Sequence, residues 1–114
     1  MDLEVSRKGI GLSEHAVFVT LVLNGGNFGT DDDRRKVRAL EENIRQAVES
    51  AGVGEFDGDE FGGGKVVLFM YGADADKLFA VVEPILRGDS SYSGHAVLRY
   101  GEPGESTRRR EVDF

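Results

Sequence analysis

The chain has no cysteine, no tryptophan and only two prolines in 114 residues. Without cysteine there is neither a disulfide framework nor a thiolate metal site. Met1 to Lys8 lack the apolar stretch of a secretory signal. No apolar run approaches the ~20 residues that a bilayer span requires. These absences predict a cytoplasmic protein without membrane attachment. Positive charge is also scarce: 14 Lys and Arg stand against 21 Asp and Glu, a net charge of −7. Such a chain is repelled by nucleic acid and anionic membranes, and it favours basic partners or cations.

Two things are present in excess. Glycine occurs 16 times, about twice its usual ~7% share, so tight turns and close backbone approaches are expected. Acidic residues concentrate between Glu41 and Glu60, where seven carboxylates face one base, Arg45. That patch ends in Glu55-Phe56-Asp57-Gly58-Asp59-Glu60-Phe61, followed by Gly62-Gly63-Gly64.

The order of elements follows from periodicity. His15 to Leu23 is an almost unbroken apolar and β-branched run, the pattern of a strand buried on both faces. After the loop Asn24 to Gly29, Thr30 reads as a helix N-cap with Asp33 completing a box. Val37, Leu40, Ile44, Ala47, Val48 and Ala51 then recur at helical spacing until Gly52. Val53 to Phe61 reads as an exposed strand, and if regular it places Glu55, Asp57 and Asp59 on one face. The glycine turn leads into a second apolar strand, Lys65 to Tyr71. Asp74 caps a second helix with the stripe Leu78, Val81, Val82 and Ile85, and Pro84 inside it removes one backbone bond. A last strand, His95 to Tyr100, alternates.

The order β-α-β-β-α-β predicts an α+β ferredoxin-like plait: a four-stranded antiparallel sheet in order 4-1-3-2 with two helices on one face. One domain is expected over residues 1–114, with its core about 15–101, flanked by an N-terminal arm and a C-terminal tail. Strands one and three are apolar throughout, as central strands should be, whereas two and four are charged or alternating. Helices on one face leave the other uncovered, with Phe18, Val22, Val67 and Phe69 as candidates to lie there. The N-terminal segment (Leu3, Val5, Ile10, Leu12) or the tail (Val112, Phe114) is the alternative cover.

Chemistry is harder to find. Asp57 to Gly62 resembles the opening of a calcium loop, but position 5 is Phe61 and position 12 is Leu68, so two ligands fail. The glycine loop before the first helix meets Asp31, Asp32 and Asp33 rather than a lysine, which argues against phosphate. The third strand is mostly aliphatic in an acidic chain, which argues against RNA. His15 and His95 are expected at opposite ends of the sheet, without a shared metal. Serines 90, 91 and 93 have no evident base, and Arg108-Arg109-Arg110 reads as a solvated tail.

In Gly54 to Glu60, Tyr71-Gly72-Ala73-Asp74-Ala75-Asp76-Lys77-Leu78 and Leu98-Arg99-Tyr100-Gly101, the chain resembles small uncharacterised bacterial proteins of the ferredoxin-like (βαββαβ) class. The resemblance spans roughly residues 15 to 101; it implies a fold and carries no functional residues. No cofactor is expected. The leading functional expectation is a non-catalytic interaction module. It would bind a protein, either a second copy through the open sheet face or a basic partner as an inhibitor or immunity protein does, with Glu55, Asp57, Asp59 and Glu60 as binding residues. The alternative is a small-molecule or divalent-metal enzyme domain using Asp57, Asp59 and Glu60. The plainest reading is that these carboxylates are solvated charges that discourage edge-to-edge pairing.

Overall fold

A computed structural model of the chain describes residues 14–89 and 91–114. The expectations for Leu3, Val5, Ile10, Leu12 and Ser90 lie outside the described residues. The elements are β1 (His15–Val22), α1 (Asp31–Ala51), β2 (Glu55–Gly62), β3 (Lys65–Gly72), α2 (Ala75–Arg87), β4 (Gly94–Arg99) and β5 (Arg109–Asp113). The five strands form one sheet in the order β2-β3-β1-β4-β5, antiparallel at every pairing.

This corrects the expectation of a four-stranded 4-1-3-2 sheet, because a fifth strand lies outside β4. The Arg-rich segment is an edge strand, not a solvated tail. Its alternation was hidden because an edge strand keeps charge on both faces. Arg110 and Val112 sit opposite Leu98 and Ala96, on the helix side, and Arg109, Glu111 and Asp113 point the other way. Val112 and Phe114 pack against the helix-side core and do not cross the open face.

Local signals explain the helix boundaries. Thr30 accepts from Asp33 N at 3.0 Å while the Asp33 carboxylate accepts from Thr30 N at 2.9 Å, the reciprocal box expected at the start of α1. Asp74 Oδ1 accepts from Asp76 N and Lys77 N and so caps α2. Pro84 does not end α2, which continues to Arg87. Between β2 and β3, Gly63 and Gly64 both have positive φ, 62° and 76°, as a two-residue hairpin turn of the type I′ class requires.

The core lies between the sheet and both helices. Val17, Val19, Leu21, Leu68, Met70 and Leu98 supply the sheet side, and Val37, Ile44, Val48, Leu78, Val82 and Leu86 the helix side. The α2 stripe is rotated from the sequence reading. Phe79, Val82 and Leu86 are buried, whereas Val81 and Ile85 are only partly so. Ala51 of the expected α1 stripe is exposed. Leu40→Ala should therefore lower stability by ~2–4 kcal/mol and Val82→Ala by ~1–3 kcal/mol, with Val81→Ala costing less than Val82→Ala. Chemical denaturation checks the ranking, which reverses if α2 turns its Val81 side to the core.

Candidate functional site

The acidic strand β2 is the outer edge of the sheet, paired only with β3. Its register does not allow the shared face that regular alternation predicts. The pairing shifts between Phe56 and Gly58, so Asp57 is the extra residue of a β-bulge. Before the bulge, Glu55 sits opposite Tyr71. After it, Asp59 sits opposite Leu68 and Glu60 opposite Val67. Glu55 and Glu60 therefore lie on the open face, Asp57 at the bulge, and Asp59 on the helix side, because Leu68 belongs to the core. Asp57, Asp59 and Glu60 do not share one face. Among the described residues there is no group of three or more His, Asp or Glu able to hold a metal ion.

Asp59 meets a residue the sequence reading passed over. Glu41 of α1 is 6% exposed, and its Oε2 has no hydrogen-bond partner. Burial, followed by a hydrogen bond with Asp59 and the charge of that carboxylate, pushes the Glu41 carboxyl up to about 8. Arg38 and Arg45 oppose the shift. Arg45 is also bonded to Glu42 at 2.8 Å and stacks 5.2 Å from the Phe56 ring centre. The signal for Glu41 was present: it stands four residues after Val37 and three before Ile44, inside the apolar stripe.

The open face has an apolar centre. Cross-strand register aligns Phe69, Phe18 and Val97 in one row, with Val67 and Thr20 in the next. Phe18 and Phe69 meet edge to face at 5.6 Å, and Phe18 meets Tyr71 at 6.0 Å. Phe18, Val67, Phe69 and Val97 are each partly exposed. The face is more open toward Val22, which is 49% exposed, than toward Ala16, Tyr71 and Arg99, each 1% or less.

Carboxylates flank this centre on both sides. On β2 they are Glu55 and Glu60; on β5 they are Glu111 and Asp113, opposite Val97 and His95. His95 lies between the latter pair, with Nδ1 2.7 Å from Asp113 Oδ1 and Nε2 2.8 Å from Glu111 Oε1. Hydrogen bonding to Asp113, aided by Glu111, raises the imidazole above its usual value and favours the cation. Basic groups on the same face are Lys65 and Arg109 at its periphery and the buried Arg99.

His15 lies far from His95. Its Nδ1 accepts from Ala75 N at 3.0 Å and its ring meets Tyr100 at 5.7 Å. Thr20, the partner of His95, lies five residue steps along β1 from His15, a span of ~17 Å. At the His15 end, Tyr100 donates to Asp76 at 2.6 Å, and Arg108 stacks 4.4 Å from the Tyr100 ring centre.

No protein-family model matches the chain, nor does any curated protein or solved structure. No helix among the described residues is long and apolar enough to cross a membrane.

Proposed function

We propose that this chain is a non-catalytic, cytoplasmic protein-interaction module, a ferredoxin-like plait extended by one edge strand, whose open sheet face binds a basic protein. The observation that carries this reading is the partly exposed cluster Phe18, Val67, Phe69 and Val97 between two flanks of carboxylates. An apolar centre with a polar rim is the ordinary anatomy of a protein interface. The sign of the rim selects the partner. Glu55, Glu60, Glu111 and Asp113 still outnumber Lys65, Arg109 and the His95 cation at the rim, so two copies laid face to face would bring like charges together. A partner with an apolar centre and a basic rim meets no such repulsion.

This reading takes Glu55 and Glu60 as its β2 rim residues, because Asp59 stands opposite Leu68 on the helix side. The metal-enzyme alternative finds no supporting observation, since Asp57, Asp59 and Glu60 do not share a face.

The test uses immobilised protein to capture partners, compared across variants. A basic protein should be retained by the wild type and lost by Phe69→Ser. Its retention should fall more steeply with salt for the wild type than for Glu55→Gln/Glu60→Gln, because screening acts over a Debye length of ~10 Å at 0.1 M. Retention indifferent to both variants overturns the reading. A concentration-dependent dimer abolished by Phe69→Ser gives the face to a second copy instead.

A further inference from the structure

The contact between α1 and β2 has a chemistry that the interaction reading does not use. Two carboxyl groups, Glu41 and Asp59, meet where α1 packs on the edge strand β2. A buried carboxylate is tolerated when its oxygens are paired with donors. Here one oxygen of Glu41 has no partner and the group is 6% exposed. The arrangement is satisfied when one proton lies between the two carboxyls and opposed when both are ionised.

We propose that the Glu41–Asp59 pair is a proton latch that holds the edge strand β2 against α1 and releases it when the shared proton is lost. The charges around the pair fit this role. From β2 comes Asp59, and from the helix itself Arg38 and Arg45. Arg45 already serves Glu42 and Phe56. Behind Asp59, β3 supplies Leu68, which does not titrate. On α2, Arg87 pairs with Glu83 at 2.9 Å and donates to the Asp113 carbonyl at 3.3 Å. The two guanidiniums soften the repulsion between the carboxylates without replacing the missing hydrogen bond.

The strand is built to yield at this point. β2 has a neighbour on one side only, and the bulge at Asp57 already interrupts its ladder two residues before Asp59. The far end is fixed independently: Asn27 accepts from Gly63 N at 2.7 Å through its side chain and from Gly64 N at 2.8 Å through its carbonyl. Release therefore frees the Glu55–Asp59 half while the hairpin turn stays attached. It uncovers Phe56 and the outer edge of β3, where another strand can add.

Amide hydrogen exchange on the full chain tests the latch, with rates corrected for base catalysis. Between about pH 6 and about pH 9, protection of the Phe56–Glu60 amides should fall ~10-fold or more relative to amides of β1 and β4. In Glu41→Gln, whose amide can still bond Asp59, that relative protection should stay constant. Asp59→Asn gives the same expectation and serves if the first variant does not fold. A parallel fall in β1 and β2, or the same β2 fall in the variant, overturns the proposal. So does carbon-13 titration showing Glu41 already ionised at about pH 6.

Discussion

Gly72→Ala should lower the free energy of unfolding by ~3 kcal/mol or more, one of the largest losses available to a single methyl in this chain. A Cβ at Gly72 would stand 2.3 Å from the carbonyl oxygen of Val53 and 3.3 Å from the Cα of Gly54. These are backbone atoms, so no rotamer change relieves the clash. The reciprocal site is as tight: a Cβ at Gly54 would lie 2.2 Å from the carbonyl oxygen of Tyr71, at a φ of +156°. Here the chain entering β2 crosses the end of β3 with nothing but backbone between them. Either β2 moves away, losing its contact with α1, or β3 distorts within the sheet. The expected reading is a fall in melting temperature of roughly 10–15 °C. Gly62→Ala is the control, since nothing lies within 4 Å of its Cβ and its φ is not positive. It should stay within ~0.5 kcal/mol of the wild type. Equal effects at Gly72 and Gly62 would mean that the crossing is looser than described.

The second large effect is on pH dependence, and its sign is opposite to that of an ordinary salt-bridged carboxylate. Glu41 has a folded pKa of about 8 against an ordinary value of 4.5. Between those two pH values the folded chain keeps a proton that the unfolded chain has lost. Stability contributed by this group is therefore fully present below pH 4.5 and falls as pH rises through the window toward 8. The opposing arginines are already contained in that value, so the difference between the ends of the window is on the order of 5 kcal/mol. His95 acts in the same direction, because its raised pKa makes its ion pairs fade as pH rises through the folded value. Glu41→Gln separates the two. The variant should gain on the wild type as pH increases, and the difference between their unfolding free energies should be flat above about pH 9. A difference independent of pH would place an already ionised carboxylate at position 41.

The role of Glu41 was half legible in the sequence. Its spacing from Val37 and Ile44 placed it in the buried stripe of α1, but helical period cannot say what the stripe meets. Asp59 is opposite it only because the bulge at Asp57 shifts the alternation of β2 by one residue. A strand read as regular puts Glu55, Asp57 and Asp59 together. The same single-residue shift exchanges Asp59 for Glu60 on the open face, and so it decides which carboxylates border Phe69 and Phe18.

What the sequence determined alone was whatever depends on neighbours within a few residues. Thr30 with Asp33, Asp74, and the Gly63-Gly64 turn set boundaries by local hydrogen bonds and allowed dihedrals. The apolar runs of β1 and β3 identified the central strands, because strands with a neighbour at each edge bury the most side-chain surface. The tertiary structure decided the rest. It made Arg109–Asp113 a fifth strand, since pairing with β4 supplies backbone bonds that its charged side chains give no sign of. It turned α2 so that Val82 and Phe79 fill the core while Val81 stays at the margin, a rotation set by packing against β1, β3 and β4. It also brought two carboxyls eighteen residues apart into one contact, where burial rather than sequence holds the proton on Glu41.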